Sequence, residues 1–215
     1  MTIDKIEKVT PAGVAPRGKV VALNGFPGTG KLTILSNMQS RLAGQDTLVI
    51  DNHFIIDPVQ KIYPDRGLNH YYLRQQLRQV IFKEIRKMVD RGCVVLMTAC
   101  LGNNEGDRKV LDEHLDIVRG TDIPMFWINI GCDQRTLEER LTRPERVQGN
   151  KAKLTNVEVL RVMTKHSRII LPSGSRHKLE DINLVTASLD VGGSIEEAVN
   201  KVYRIVGGET LKAVA

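Results

Sequence analysis

Three glycines converging on one lysine are the residues of this chain best equipped for chemistry. Gly25-Phe26-Pro27-Gly28-Thr29-Gly30-Lys31 satisfies the pattern GxxxxGK. Glycines let a backbone wrap tightly and aim successive N–H groups at one anion. A helix opening directly behind them adds partial positive charge. The lysine ammonium then reaches the outer phosphates of a nucleoside triphosphate. The pattern departs in one place. The hydroxyl residue that usually follows the lysine is Leu32, and Thr33 comes one residue later. Leu32 cannot ligate a magnesium ion. Such a metal would be held by phosphates and water, with Asp51 acting through a water and Thr33 as the other candidate. A dinucleotide loop is the rival, because an acid about 20 residues on is part of that pattern too. Its GxGxxG spacing is not met here, and it has no place for Lys31.

Other candidates cluster at the ends of apolar runs. Asp51-Asn52-His53 follows the run ending at Ile50. A carboxylate there suits a proton acceptor for a hydroxyl nucleophile, or a partner for a metal-bound water. His53 is a candidate substrate contact. Thr98 ends a later run at the position where many phosphate-loop proteins carry an aspartate. That missing acid argues against a motor-type ATPase. Arg140, Arg143 and Arg146 lead from a helix end into a polar stretch, and arginine forks neutralise charge on a phosphoryl group in flight. Arg74 and Arg78 lie four apart on a long helix, off its apolar face, where they would meet an anionic acceptor or water.

The elements that must hold these residues alternate. Lys19–Asn24, Thr47–Ile50, Cys93–Met97, Pro124–Ile130 and Ile182–Ser188 read as strands, short, apolar and mostly bounded by turn residues. Leu32–Leu42 reads as a helix. Leu73, Leu77, Val80, Ile81, Ile85 and Met88 recur at helical spacing up to the stop at Gly92. His53–Asn69 holds Pro58, Pro64 and Gly67 and reads as irregular. Val110–Val118 reads as helical. Asp133 is placed to cap one helix, and Thr155 with Glu158 and Ser194 with Glu197 form capping boxes for two more. Alternating strands and helices predict an α/β fold: a five-stranded parallel sheet covered on both faces, three layers deep. Residues 1–17 and 207–215 read as tails flanking one domain over 18–206, with a small arginine-rich lid at about 143–154.

The chain of 215 residues is 41% hydrophobic and 26% charged, an ordinary composition for a globular domain. Cys93, Cys100 and Cys132 are odd in number and show no CxxC spacing, so a disulfide framework and a zinc site are not expected. A cytoplasmic protein is expected, with no membrane span. The net charge of +6 suits an anionic ligand. Nucleic acid is not favoured, since aromatic residues are only 4% and no basic-aromatic stripe occurs.

With the loop in place, the chain resembles small phosphate-loop kinases of the nucleoside-monophosphate-kinase-like group. Gly25–Thr33 (GFPGTGKLT) is similar to the adenylate kinase loop, which also lacks a hydroxyl directly after the lysine. The wider layout resembles chloramphenicol phosphotransferase-like kinases: Asp51 after the second strand, Ile128–Asp133 leading into a helix, the arginines, and a strand ending Thr-Ala-Ser before Ser-Ile-Glu-Glu. The resemblance spans roughly Lys19–Val206, and only its loop is specific. It implies ATP and Mg²⁺ as cofactors and a small-molecule acceptor, with the protein a monomer or homodimer. Transfer to a hydroxyl is the expected reaction. A nucleoside-monophosphate kinase, a polynucleotide 5′-hydroxyl kinase and a non-catalytic nucleotide switch are the alternatives.

Overall fold

The structure, a computed structural model, describes residues 18–149, 153–172 and 179–207. Both expected tails, apart from Gly207, and positions 150–152 of the expected lid lie outside the described residues. In chain order the elements are β1 (Lys19–Asn24), α1 (Lys31–Arg41), β2 (Thr47–Ile50), α2 (His53–Ile62), α3 (Leu68–Asp90), β3 (Val94–Ala99), α4 (Glu105–Leu115), β4 (Thr121–Gly131), α5 (Gln134–Leu141), α6 (Pro144–Val147), α7 (Val157–His166), β5 (Ile182–Asp190) and α8 (Ile195–Gly207).

The strands form one five-stranded sheet in the order β2-β3-β1-β4-β5, and every pairing is parallel. β1 is central because both its faces are apolar, and alternate residues serve opposite layers. Val20 and Ala22 join Val95, Met97 and Trp127 under α3 and α4, where Phe82, Ile85, Leu111 and Leu115 are buried. Val21 and Leu23 face the other way with Leu96 and Ile128, against Ile34, Leu35 and Met38 of α1 and Val199 and Val202 of α8. A smaller cluster joins Leu137 and Leu141 of α5 to Leu160 of α7, with Phe26 packed on it. The connection from β1 runs outward past β3 to β2, whereas the connection from β3 runs back past β1 to β4, so the connections diverge between β1 and β3. Ligands of open α/β sheets bind at the carboxyl ends of the strands flanking such a switch.

Three local expectations are corrected. His53–Asn69 is largely not irregular: α2 fills its first part because Ile55 and Val59, four apart, are both buried. Pro58 is tolerated there on the exposed side, at the loss of one backbone donor. α4 starts earlier than Val110, at Glu105, because the Asn104 side chain accepts the Asp107 N–H at 2.9 Å. α7 is capped by Asn156, whose side chain accepts the Val159 N–H at 3.1 Å, and not by Thr155. Asp133 does cap α5, accepting the Thr136 N–H at 2.9 Å. Ser194 and Glu197 form the reciprocal box at the start of α8, at 3.1 and 3.2 Å.

Candidate active site

The glycine loop leaves β1 and turns immediately into α1. Gly28 and Gly30 have φ of +92° and +84°, a region that costs other residues energy. Gly28 has a second constraint: a Cβ there would lie 2.9 Å from the Leu137 carbonyl oxygen of α5. At Gly25 a Cβ would collide with the Ile130 carbonyl oxygen. The loop is thus clamped between β4 and α5, with Phe26 seated in the α5–α7 cluster. Inside it, the Thr29 hydroxyl donates to the Phe26 carbonyl at 2.8 Å. Lys31 Nζ donates to the carbonyls of Gly25 at 2.6 Å and Phe26 at 2.9 Å. Burial holds the Lys31 ammonium below its usual pKa. Cys100 and Asp51 oppose that shift, and Arg146 and Lys153 reinforce it.

Asp51 stands at the end of β2, opposite Thr98 on β3, one step beyond the Ile50–Met97 pair. The buried Thr98 hydroxyl donates to Asp51 Oδ1 at 2.9 Å and accepts the Asn52 N–H at 2.9 Å. One hydroxyl therefore pins both the carboxylate and the backbone beside it. His53 opens α2 with its Nδ1 2.8 Å from Asp57 Oδ1, so it is oriented by its own helix. Asp51 and His53 line a cavity of about 770 Å³ whose walls also include Leu32, Phe54, Ile81 and Met88. Leu32 therefore serves as apolar wall. Thr33 is exposed on α1, and its carbonyl accepts the Asn37 amide at 2.8 Å. Among the described residues, no three His, Cys, Asp or Glu side chains gather as a metal-binding group.

The three lid arginines diverge, because α5 ends at Leu141 and Pro144 starts a separate short helix. Arg140 donates to the carbonyls of Val191, Gly192 and Gly193 at 3.1–3.3 Å, tying α5 to the loop after β5. Arg143 is exposed at the start of α6. Arg146 lies close enough to feel Asp51. Burial pushes its pKa down, Asp51 opposes that, and its Nε donates to the Leu154 carbonyl at 2.9 Å. Arg161 braces this region by forking onto Glu138 at 2.7 and 2.8 Å, which holds that carboxyl down at about 2.

Arg78 is not at the acceptor side of the site. It is buried and paired with Glu113 of α4, Nε to Oε2 at 2.5 Å. Arg74 lies within electrostatic reach of Asp107, Asp107 of Cys100, and Cys100 of Lys31. The structure gathers Lys31, Asp51, Thr98, Cys100 and Arg146 around the carboxyl ends of β1, β2 and β3. Asn24 is a contributor that sequence reasoning missed. Fully buried at the end of β1, its side chain reaches the Leu101 and Ile170 carbonyls at 3.2 and 3.3 Å and Asn129 Oδ1 at 3.2 Å. It also accepts the Leu101 N–H at 2.8 Å, which fixes the loop after β3. A polar residue closing an apolar strand was the signal for it.

No family model matches the sequence, and no curated protein matches it. Solved structures do match in three dimensions. Thymidylate kinase from Candida albicans is 16% identical, with a TM-score of 0.55 over 89% of this chain and 92% of that one. APS kinase from Mycobacterium tuberculosis is 18% identical, with a TM-score of 0.53 over 89% and 99%. A sugar kinase from Janibacter is 13% identical, with a TM-score of 0.56 over 88% and 95%. The chain thus has the phosphate-loop NTPase fold of the kinases resembling nucleoside-monophosphate kinases.

Proposed function

We propose that this protein is an ATP-dependent kinase that moves the γ-phosphate onto a hydroxyl of a small molecule. The observation that carries this reading is the pairing of two devices at one end of the sheet. Lys31 sits within a glycine loop that accepts no Cβ at Gly25, and the Asp51 carboxylate is pinned by Thr98. The names of the structural neighbours, spanning thymidylate, APS and sugar kinases, support phosphoryl transfer at this level and leave the acceptor open.

ATP with Mg²⁺ would supply the transferable phosphoryl group and neutralise part of its charge. The glycine loop and the first N–H groups of α1 suit triphosphate oxygens. With Leu32 apolar, Asp51 is the side chain placed to reach the metal, through water. Asp51 also takes the proton as an acceptor hydroxyl attacks. Lys31 and Arg146 offset negative charge on the transferring group. Closure of the α6 region excludes water and so suppresses hydrolysis.

ATP consumption should be measured against nucleosides, nucleoside monophosphates, sugars, hydroxylated antibiotics and a 5′-hydroxyl oligonucleotide. One class should stimulate turnover, and Lys31→Ala should reduce it at least about 100-fold, as for loss of a transition-state donor. Tight ATP binding with no stimulation by any class would overturn the kinase reading. Transfer to the phosphate of a nucleoside monophosphate is the second reading, favoured by the buried Arg74 Nε that has no hydrogen-bond partner on α3, and the same panel separates the two.

A further inference from the structure

Leu32 stands directly after the loop lysine, where a hydroxyl would serve the metal, and it forms part of an apolar wall instead. The cavity it borders, of about 770 Å³, wraps the free edge of the sheet. No strand of the sheet lies beyond β2, so Leu48 and Val49, which pack toward opposite layers, both line the hollow. Phe54 of α2 and Val80 and Met88 of α3 add to the apolar lining. Phe54 and Val80 are 68% and 64% exposed. Large apolar side chains left open beside a hollow favour a ligand that covers them with apolar surface. A cavity of this size suits a body of many carbon atoms rather than a single small polar group.

The charged lining has one sign. Asp51, Asp57 and Glu84 border the cavity, and among the described residues no lysine or arginine does. Glu84 takes the Lys87 ammonium at 2.7 Å on the exposed side of α3. His53, the one lining group able to gain positive charge, is held by Asp57 at 2.8 Å. Lys31 and Arg146 feel Asp51 but belong to the glycine loop and α6, and neither lines the cavity. An anionic group here would lose its hydration against apolar walls and meet carboxylates with no fixed cation, so the lining selects against it.

Building on the kinase reading, we propose that the acceptor is a lipophilic alcohol carrying no anionic group, its apolar body filling the cavity around the β2 edge and its hydroxyl beside Asp51. The hydroxyl oxygen forms the new bond to the γ-phosphorus as the bond from that phosphorus to the bridging oxygen breaks. ADP keeps that electron pair, and Asp51 takes the hydroxyl proton. Leu32 joins the two halves of the site, since it follows the lysine of the phosphate loop and walls the acceptor cavity.

The test uses the full chain saturated with ADP, so that the glycine loop is filled. Calorimetry compares 1,2-butanediol, 1,2-hexanediol and 1,2-octanediol, and sets the last against 2-hydroxyoctanoate. Affinity should rise about three-fold for each added CH₂, as for burial of a methylene. The hydroxy acid should bind at least ten-fold more weakly than the matching diol. Val80→Glu and Phe54→Gln alter exposed positions, and each should flatten the dependence on chain length. Val162→Glu, at an exposed apolar position of α7 outside the cavity, should keep it. No rise with chain length, a rise that survives both cavity variants, or equal binding of the hydroxy acid would each overturn the inference. Chain-length-dependent binding with no transfer from ATP to any diol would uphold the lipophilic site and remove the kinase reading. Transfer to a polar or anionic acceptor, with no preference for longer diols, would do the reverse.

Discussion

Thr98 donates its single proton to Asp51 and accepts the Asn52 N–H, so valine in its place removes both bonds without changing the shape of the side chain. Burial makes that loss matter, because Asn52 N–H would then face an apolar group. On the kinase reading, Thr98→Val should lower kcat about 10-fold, the equivalent of one net hydrogen bond of about 1.4 kcal/mol. The KM for ATP should hold steady, since Thr98 touches Asp51 and not the glycine loop. Steady-state kinetics against ATP and the stimulating acceptor reads this directly. A variant with wild-type kcat would mean that the carboxylate is held by the β2 backbone alone. Lys31 belongs to the opposite category. Its position follows from its own loop, whose Gly25 and Phe26 carbonyls and Thr29 hydroxyl accept from its ammonium.

At the scale of elements, α3 and α4 cover one face of the sheet, and Arg78–Glu113 joins them across their polar margin. The arginine side chain is 8% exposed and the glutamate 17%, so neither charge is well solvated by itself. Removing one partner strands the other. Glu113→Ala should therefore destabilise the fold by about 3 kcal/mol, seen as a lower urea midpoint. The double change Arg78→Met with Glu113→Leu should recover most of that loss, because an apolar pair replaces a buried ionic one at little cost. A Glu113→Ala midpoint equal to wild type would show that Arg78 finds water or another acceptor. The lid behaves differently as an element. Proline at 144 splits it from α5, which is why arginines at a spacing of three do not share a face.

Across the whole molecule, His114 makes stability depend on pH. It lies in the core between Phe82 and Trp127, with ring centroids 4.7 and 5.7 Å away. Burial pushes its pKa down to about 4, and Arg78 adds to the shift, while the Val110 carbonyl, 2.7 Å from Nδ1, opposes it. The unfolded chain takes up a proton at about 6.5 that the folded core refuses until about pH 4. Stability should therefore fall as pH drops from 6.5 toward 4, by about 3 kcal/mol in all. His70, also shifted down by burial, changes stability in the same direction. His114→Phe keeps the aromatic packing and removes this proton, so its urea unfolding curves at pH 7, 5.5 and 4.5 should converge more than those of wild type. Equal slopes for the two proteins would remove His114 as the cause.

What lay legible in the chain was whatever depends on near neighbours. The glycine loop, the Asp133 and Ser194–Glu197 caps and the apolar strands are set by φ, by i to i+3 bonds and by side-chain alternation, and these survive in the linear order. Their alternation was enough to predict the five-stranded parallel sheet. What tertiary structure decided was every pairing between distant elements. Thr98 meets Asp51 across 47 positions only because β2 and β3 lie side by side in one register. Arg74 and Arg78 are alike in sequence, and only the packing of α4 on α3 gives Glu113 to Arg78 and leaves the Arg74 Nε buried without a hydrogen-bond partner. Arg140, which reads as a phosphate ligand, is turned onto the loop after β5 because that loop's carbonyls lie beside the end of α5. Local propensity acts along the chain, whereas charge pairing and burial act through space, and no spacing in the sequence encodes the second kind of distance.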